Sequence, residues 1–391
     1  MGYPGVTKVT AAALAFHRSR LFYNAKVKTW DVLIIGGGII GLSLSLELRK
    51  QGAAVLIVER GEPGREASWA AGGMLADSIV ETPPALQPLA SASAHLYPEF
   101  VRELELESGL HLDLRDHGTI LFPPQENPHD PASFTRKEPN AKELLASDLS
   151  ELEPALGDTN RHGFPSPALL LKERSIDPRA LTAAALKAAK RRGVDFSSAD
   201  PVTAVNQANG HITGVTTTKT AFHSAKVVNC AGAWSGQIAL HAFPTRPVKG
   251  QMLCLLSPSR ELLHHVIRTP DVYLIPRGDG RIIVGSTLEE AGFDKRVDLD
   301  TIQRLHKSAI TLVPKLADAK ILEDWAGLRP GTPDGLPILG PTATPGYYVA
   351  TGHFRDGILL APITAQVMAQ VIAGTNCNYD LTPFSQVRFP T

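Results

Sequence analysis

Three glycines near the start of the chain have the spacing of a dinucleotide-binding fingerprint. Gly36, Gly38 and Gly41 form the pattern Gly-x-Gly-x-x-Gly. The first glycine permits a tight turn, the second lets the backbone approach a pyrophosphate, and the third lets a helix pack closely on a strand. Glu59 ends the next apolar run, where a carboxylate can accept hydrogen bonds from ribose hydroxyls and would repel a 2′-phosphate. These residues predict a dinucleotide site and disfavour NADP.

The fingerprint alone does not distinguish NAD from FAD, because both carry an ADP-ribosyl group. A tight strand-to-helix turn that binds no ligand is a third interpretation. The run Glu66-Ala-Ser-Trp-Ala-Ala-Gly-Gly-Met74 places small residues where a chain can pass close to a bulky ring system. The sequence also lacks the unbroken succession of βα units expected of a nicotinamide dehydrogenase. Both features favour FAD.

Other common chemistries lack their signatures in this sequence. Cys230, Cys254 and Cys377 lie far apart with no CxxC pair, which argues against a disulfide framework or a zinc–thiolate site and favours a reducing compartment. His264 and His265 have no Cys or carboxylate at ligand spacing, so we predict no metal site. The Gly-x-Ser-x-Gly motif of serine hydrolases is absent.

The fingerprint needs a strand before it and a helix after it, and the sequence supplies both. Apolar runs at 31–35 and 54–58 are rich in β-branched residues, as expected of parallel strands buried on both faces. A helical segment at 42–51 joins them, and Gly52 can terminate it. This arrangement is one βαβ unit.

Two later segments return to the same α/β pattern. Asp177 can cap a helix that Gly193 ends, and a strand at 225–230 follows. Near the end of the chain, a strand at 347–350 leads through a glycine-containing turn into a helix at 358–373. The dinucleotide-type elements therefore come from separate stretches of the chain.

Between 246 and 325, short strand patterns dominate, and Arg277-Gly-Asp-Gly280 is typical of a hairpin. We therefore predict an α/β fold in which a Rossmann-like domain is interleaved with an α+β domain built on a mainly antiparallel sheet. The predicted boundaries are 1–29 for a basic extension, 30–95, 165–245 and 326–375 for the dinucleotide-binding domain, 96–164 and 246–325 for the substrate domain, and 376–391 for a tail.

Charge is balanced overall but unevenly distributed. With 39 Lys and Arg against 39 Asp and Glu, the net charge of +0 provides no field that would attract nucleic acid. A hydrophobic content of 43% with 20% charged residues excludes wholesale disorder. Residues 1–30 contain basic but no acidic residues, which resembles a transit peptide, a membrane-surface helix or a plain extension. The apolar run at 6–16 is shorter than the roughly 20 residues that a bilayer span needs, so we expect no integral membrane span.

Several further blocks follow the fingerprint in a fixed order. They are Ala70-Ala-Gly-Gly-Met74, Ile176-Asp-Pro178, Cys230-Ala-Gly-Ala-Trp-Ser235, Trp325-Ala-Gly-Leu-Arg-Pro330 and Thr351-Gly-His-Phe-Arg-Asp-Gly-Ile358. Together, over residues 30–373, they resemble the FAD-dependent D-amino-acid oxidase family, and most closely its bacterial glycine oxidase branch, which serves thiamine biosynthesis. The resemblance implies an FAD-binding domain of the glutathione-reductase type.

The resemblance also implies how FAD is held. The residues expected to contact FAD besides the fingerprint glycines are Ile39, Ile40, Glu59 and Arg60 at the ADP half, Val202 at the adenine through its backbone, Ala67, Ser68, Gly72, Gly73 and Met74 towards the flavin, and His353, Phe354, Arg355, Asp356, Gly357, Ile358 and Leu359 over the isoalloxazine. The helix that begins near Ile358 would direct its positive dipole at the flavin. Related monomeric sarcosine oxidases attach flavin through a C-terminal Cys, but no Cys lies between Cys254 and Cys377, so we expect non-covalent FAD.

Three residues are expected on the substrate side. By resemblance, Arg329 holds the substrate carboxylate with its planar guanidinium, which suits a carboxylate bidentately. The alternative is a structural ion pair with Asp334 or Glu323. Tyr273 would bond the same carboxylate, or else be a core tyrosine with its hydroxyl at the surface. Arg355 would lie beside the flavin or at the entrance.

The implied reaction is the oxidative deamination of glycine, a small amine or a D-amino acid. A hydride would pass from Cα to flavin N5, leaving an imine, and oxygen would be reduced to hydrogen peroxide. His353 is not needed as a base if the substrate amine arrives neutral. The alternatives are a D-amino-acid dehydrogenase that reduces a quinone and a flavin-binding module without oxidase activity. We expect a cytoplasmic homo-oligomer that binds no nucleic acid. Its expected partners are a small amino-acid or amine substrate, molecular oxygen, and a thiazole synthase that takes over the product.

Overall fold

The computed structural model describes residues 28–79, 82–123, 141–156, 168–238 and 240–389. The basic leader up to residue 27 and most of the Pro-rich segment at 123–140 lie outside the described residues. Within them, no helix is long and apolar enough to cross a bilayer.

The described elements alternate between strands and helices up to about residue 191, and strands predominate after that. The strands are β1 (Val32–Ile35), β2 (Val55–Val58), β3 (Met74–Leu75), β4 (Thr119–Leu121), β5 (Lys142–Leu144), β6 (Ala168–Leu171), β7 (Arg174–Ser175), β8 (Asp195–Ser197), β9 (Val202–Ala208), β10 (His211–Thr217), β11 (Ala221–His223), β12 (Val227–Asn229), β13 (Arg246–Leu256), β14 (Val266–Arg268), β15 (Tyr273–Pro276), β16 (Arg281–Gly285), β17 (Lys320–Gly331), β18 (Ile338–Pro341) and β19 (Tyr347–Thr351). The α-helices are α1 (Ile39–Lys50), α2 (Ala67–Ala70), α3 (Gln87–Ser108), α4 (Ala146–Leu152), α5 (Pro178–Arg191), α6 (Leu299–Leu312) and α7 (Gly357–Ala373).

The first sheet is the predicted dinucleotide-binding sheet. Its six strands have the order β18-β19-β12-β1-β2-β8, and only β18 runs antiparallel to its neighbour. Helices α1, α3, α5 and α7 cover one face with apolar side chains, while strands β9, β10 and β11 cover the other. Since both faces are covered, β1 and β2 are buried along their full lengths, as their uniformly apolar sequences predict.

The second sheet has eight strands in the order β17-β13-β16-β15-β14-β4-β6-β5. Every neighbouring pair is antiparallel except β14 and β4. The hairpin predicted at 277–280 joins β15 to β16, and α6 packs on the sheet through Ile302 and Leu305. The two-part α/β fold with a mainly antiparallel second sheet is therefore confirmed.

Some boundaries differ from the sequence-based expectation. Ala168–Leu171 joins the eight-stranded sheet, although the prediction assigned 165–245 to the dinucleotide domain. The division at 325/326 falls inside Lys320–Gly331, and the division at 95/96 falls inside Gln87–Ser108. The segment after Cys230 forms a 3₁₀ helix at Gly232–Gln237.

Candidate active site

A cavity of about 790 Å³ lies between the two large sheets. The carboxyl ends of the parallel strands open onto it, as they do at ligand sites of doubly wound sheets. Of the residues predicted to bind the cofactor or substrate, all but Gly41 and Leu359 line this cavity. The structure therefore brings together side chains from both ends of the chain.

The fingerprint glycines have the roles that their spacing predicts. Gly36 has a left-handed φ of +105°, and a Cβ there would stand 2.5 Å from the Cys230 carbonyl oxygen. A Cβ on Gly41 would lie 2.1 Å from the Gly36 carbonyl oxygen, so Gly41 serves the close packing of α1 on β1. Gly41 was expected among the cofactor contacts, but it lies behind the cavity wall because it occupies this helix–strand interface.

Glu59 is positioned by the backbone around it. Its carboxylate accepts hydrogen bonds from the Gly37 N–H at 2.7 Å and the Gly61 N–H at 2.8 Å, one on each oxygen. Each carboxylate oxygen has a second lone pair, so the side chain can still accept from two ribose hydroxyls. Beside it, the Arg60 guanidinium lies 3.9 Å from the ring centroid of Trp234, and Val202 lines the same end of the cavity.

The N-terminus of α1 faces the middle of the cavity. The Ser68 hydroxyl on α2 accepts from the Ile39 N–H at 2.9 Å, which holds the small residues of α2 next to the fingerprint turn. No acidic residue occupies the first turn of α1. A helix N-terminus without an acid next to it suits a diphosphate, and Gly38, Ile39, Ile40 and Ala67 line the cavity there.

The turn at 70–74 forms part of the cavity wall next to the second sheet. A Cβ on Gly72 would lie 2.8 Å from Ile275 Cδ1 and 3.4 Å from the Tyr273 hydroxyl oxygen. Because Gly72 has no side chain, the turn packs directly against β15 of the second sheet. Gly72, Gly73 and Met74 line the cavity from this position.

The segment between β19 and α7 closes the cavity from the opposite side. The Phe354 N–H donates to the Pro330 carbonyl at 3.0 Å, and the Asp356 N–H donates to the His353 carbonyl at 2.8 Å. These bonds place Gly357 and Ile358, the first residues of α7, at the cavity wall. Leu359, an expected flavin contact, does not line the cavity. It is only 2% exposed, because its side chain points into the helical core and away from the cavity.

The imidazole of His353 is not available for acid–base chemistry. Its Nε2 lies 3.1 Å from the Thr364 hydroxyl, and the residue is buried. Burial lowers the pKa of His353 to about 3, so the ring is neutral at physiological pH. This agrees with the expectation that His353 contributes to the cavity wall and not as a base.

Arg329 extends from β17 into the cavity without an acidic partner. It donates to the Ser286 hydroxyl at 2.7 Å and to the Thr287 carbonyl at 3.1 Å. Both carboxylates considered as its structural partners bind other arginines: Glu323 pairs with Arg179 at 2.5 Å and Asp334 with Arg388 at 2.7 Å. Within the described part of the chain, no carboxylate lies within ion-pair distance of Arg329. Its charge is therefore available to an anionic ligand.

Tyr273 and Arg355 also line the cavity. The Tyr273 hydroxyl lies 3.7 Å from Met252 Sδ and against Gly285, on the inner side of the second sheet. Arg355 is exposed, with its guanidinium carbon 5.6 Å from the Phe354 ring centroid. Tyr273 is thus near the interior of the cavity, while Arg355 lies at its solvent-exposed edge.

The sequence analysis did not identify the residues that position the side chains of Arg329 and Arg60. Ser286 and Thr287 position Arg329, and Trp234 stacks on Arg60. A polar pair directly after the apolar run of β16 was the available signal for Ser286 and Thr287. No comparable signal marked Trp234 as a partner of Arg60.

The protein-family model described as FAD dependent oxidoreductase, DAO, matches residues 31–371. The chain belongs to the DAO family of FAD-dependent oxidoreductases. Glycine oxidase from Pseudomonas putida is 32% identical to this DAO-family chain over 363 residues, which cover 91% of the chain and 98% of that protein. The crystal structure of glycine oxidase from Geobacillus kaustophilus superposes with a TM-score of 0.86 at 30% identity, covering 93% of this chain and 100% of that one.

The chain is also similar to one part of a larger protein. The bifunctional protein ThiO/ThiG from Synechocystis is 36% identical over 369 residues, which cover 93% of this chain and 54% of that protein. The DAO-family chain therefore spans about half the length of that relative.

As a member of this family the protein depends on FAD, and the residues present fit that cofactor. The glycine turn and Glu59 suit the adenosine ribose, the N-terminus of α1 suits the diphosphate, and the 70–74 turn lines the cavity largely with backbone, which a ring system can approach. The volume of the cavity, about 790 Å³, is within the range of roughly 300–1,000 Å³ typical of ligand sites. FAD and a small second ligand can share one such cavity only if that ligand is compact.

Proposed function

We propose that this FAD-dependent oxidoreductase oxidises the amine carbon of glycine or of another small amine or D-amino acid, with oxygen as the electron acceptor. The observation that carries the proposal is the guanidinium of Arg329. Among the described residues it is held in the cavity by neutral partners only, and Tyr273 and the 70–74 turn line the same cavity. Similarity to glycine oxidases along nearly the whole chain supports glycine as the substrate.

Arg329 and Tyr273 would bind and orient the substrate. The guanidinium fork can donate two parallel hydrogen bonds to a carboxylate, and such charge-assisted pairs fix orientation as well as position. The Ser286 hydroxyl and the Thr287 carbonyl limit the rotation of the guanidinium before the substrate arrives. Tyr273, on β15 of the same sheet, can add a third hydrogen bond, which leaves the amine end of the substrate to face the cofactor.

When bound, FAD supplies the two-electron acceptor for a hydride from the substrate carbon. His353 does not serve as the base for that step, because it is buried and neutral. The residues instead select a neutral amine and hold its carbon in place. We therefore expect turnover to increase with pH as the substrate amine loses its proton.

The fate of the product is part of the proposal. Similarity to one half of the ThiO/ThiG protein supports a role in supplying thiazole synthesis, with hand-over of the imine product to thiazole synthase. An imine hydrolyses in water, so a partner that takes it directly would be an advantage.

A peroxide-coupled screen of the FAD-loaded protein with glycine, sarcosine, D-alanine, D-proline and L-proline tests the proposal. We expect hydrogen peroxide to form with glycine at the highest kcat/KM. Reduction of a quinone dye without peroxide would identify a dehydrogenase instead. A bound flavin that none of the amines bleaches under anaerobic conditions would contradict amine oxidation altogether.

A further inference from the structure

Arg277, directly after β15, is buried, and no carboxylate of the described residues lies within ion-pair distance of its guanidinium. It is 3% exposed, and its side chain donates one hydrogen bond to the described residues, from Nη2 to the Gly72 carbonyl at 2.5 Å. Its Nε and Nη1 have no hydrogen-bond partner in the part of the chain that the structure describes. Burial lowers the pKa of this guanidinium to about 10, with Asp177 as the largest opposing influence. A buried cation without an ion pair costs free energy, so its retention calls for a physical reason.

The bond to Gly72 is one of three that hold the carbonyls of the 70–74 turn. The Ala70 carbonyl accepts from Trp325 Nε1 at 3.1 Å, and the Gly73 carbonyl accepts from the Ile176 N–H at 2.9 Å. The Gly72 carbonyl accepts from Arg277. All three donors belong to the protein interior around the turn, so these carbonyls point away from the cavity.

Fixing a carbonyl also fixes the next N–H group. In a trans peptide the C=O of one residue and the N–H of the next point in opposite directions. The N–H groups of Ala71 and Gly73 therefore point away from Trp325 and Arg277, and both residues line the cavity. In the described residues, neither N–H has an acceptor. They are two donors that a ligand in the cavity can use.

The Gly72–Gly73 peptide has little else to hold it. Neither residue has a side chain, and Gly73 adopts a left-handed φ of +83° that glycine reaches without strain. Rotation of this peptide would turn the carbonyl into the cavity and remove the N–H donor. Arg277 provides the hydrogen bond that opposes this rotation, and its rigid guanidinium reaches the turn from a different sheet.

We propose that Arg277 is a positioning residue for FAD: by binding the Gly72 carbonyl, it keeps the Gly73 N–H directed at the flavin end of the cavity. The inference uses the FAD dependence of the family and deepens the proposed function at the same site. It does not depend on which amine is oxidised.

The test compares Arg277→Met and Arg277→Lys with Arg281→Met, all made in the full chain. Arg281 is on the same hairpin and pairs with Asp177 and Asp279, but it does not contact the turn. For each apoprotein we would measure the thermal midpoint, the FAD dissociation constant from flavin fluorescence, and hydrogen–deuterium exchange of the peptide that covers 70–74.

We expect Arg277→Met to weaken FAD binding at least about tenfold, the scale of one hydrogen bond to a charged group. Exchange in the turn should increase, while the apoprotein stays folded with a thermal midpoint near that of the parent, because removing a buried cation offsets the loss of its hydrogen bond. Arg277→Lys should recover part of the affinity, and Arg281→Met should bind FAD as the parent does.

Parent-like FAD affinity and exchange in Arg277→Met would overturn the inference, as would an equal loss in Arg281→Met. If Arg277→Met does not fold, the comparison of Arg277→Lys with Arg281→Met decides the question. A parent protein that binds FAD but leaves glycine unoxidised would contradict the proposed function and leave this test intact.

Discussion

Arg277 is buried and Arg329 is half-buried, and the two guanidinium groups have different surroundings. Arg329 has neutral partners on one side and the cavity on the other. Arg277 is enclosed by protein, and among the described residues its side chain donates one hydrogen bond, to a backbone carbonyl of the turn. The first is placed to bind an anion directly, whereas the second acts through the backbone.

Substituting Arg329 tests its direct role. Arg329→Ala should lower kcat/KM for glycine mainly by raising KM, since the loss of a charged contact costs about 2–5 kcal/mol. Arg329→Lys should be intermediate, because it keeps the charge but not the planar fork. Steady-state peroxide formation with glycine measures both variants.

A matched control is Arg296→Ala, since Arg296 is an exposed arginine of the same domain, 89% accessible at its side chain. It should turn over glycine as the parent does. An Arg329→Ala protein with parental KM for glycine would remove the carboxylate-binding role.

The burial of His353 predicts how the stability of the folded protein depends on pH. Burial lowers the pKa of His353 from 6.5 in the unfolded chain to about 3 in the folded chain. Between pH 6.5 and 3, the unfolded chain therefore binds a proton at this residue that the folded chain does not bind. Stability from this residue is therefore lost as the pH falls from 6.5 towards 3, and above 6.5 the residue has no effect. The loss should approach about 1.4 kcal/mol per pH unit below pH 6.5.

Urea unfolding of the apoprotein at pH 7 and pH 5 measures this effect. His353→Gln, which can still hydrogen-bond Thr364, should lose less stability between the two pH values than the parent. Equal losses in the two proteins would show that His353 does not titrate in this way.

At the scale of residues, the sequence revealed the groups that act on nearby backbone. The fingerprint glycines and Glu59 belong to this class, because their spacing along the chain is itself the signal. Arg277 and Ser286 act on partners that are 205 and 43 residues away. No local pattern encodes such pairings, so they required the fold.

Among the elements, α7 depends on α3 for its first turn. Pro362 has no N–H, so the Ile358 carbonyl one turn earlier lacks its usual helical donor. The Tyr97 hydroxyl from α3 donates to that carbonyl, and the Ser93 hydroxyl donates to the Leu359 carbonyl at 2.6 Å. Two side chains of α3 thereby hold the end of α7 that forms the cavity wall.

Tyr97→Phe tests this dependence. The variant leaves the buried Ile358 carbonyl without a donor, which should cost about 1–3 kcal/mol of unfolding free energy. FAD affinity should also fall, because the N-terminus of α7 lines the cavity. Denaturant unfolding and FAD titration of the apoprotein measure the two effects.

Tyr348→Phe is the control, since Tyr348 on β19 is half-buried and its hydroxyl makes no hydrogen bond with the described residues. It should change stability by much less. Equal destabilisation in the two variants would show that the loss comes from the phenol group in general rather than from the bond to α7.

At the scale of elements, apolar runs and caps predicted most strands and helices. Asp177 caps α5 as expected, accepting from the Arg179 N–H at 2.9 Å. The run at 168–171 could not be assigned to a sheet in advance, because a buried strand has the same composition in either sheet. The division at 325/326 was unpredictable for a similar reason: β17 is one continuous strand whose last residues reach the cavity.

Across the whole molecule, the two sheets are joined around the cavity by specific contacts. Trp325 and Arg277 of the second sheet bind carbonyls of the 70–74 turn, and Lys295 pairs with Glu66 at 3.0 Å. Trp234 and Phe293 add a ring contact at 5.2 Å. Because all of these contacts lie beside the cavity, a ligand bound there interacts with both sheets and stabilises their arrangement.

At the scale of the whole molecule, the part of the chain that matches the family, residues 31–371, is distinct from the basic leader at residues 1–27. The family match begins at residue 31, and the described structure begins just before it, at residue 28. Trp30 is anchored through Nε1 to Asp195 at 2.6 Å, and Lys28 pairs with the same carboxylate at 2.8 Å. The net charge of +0 is therefore the sum of a basic leader and an acidic body.

Deleting residues 1–27 should leave FAD binding and glycine turnover unchanged, because the contacts of Lys28 and Trp30 with Asp195 are retained. The shortened protein should bind more strongly to an anion exchanger, since the deletion removes basic residues and no acidic ones. FAD titration, peroxide formation and the salt needed for elution measure these outcomes. A shortened protein that folds but no longer binds FAD would place part of the cofactor site in the leader.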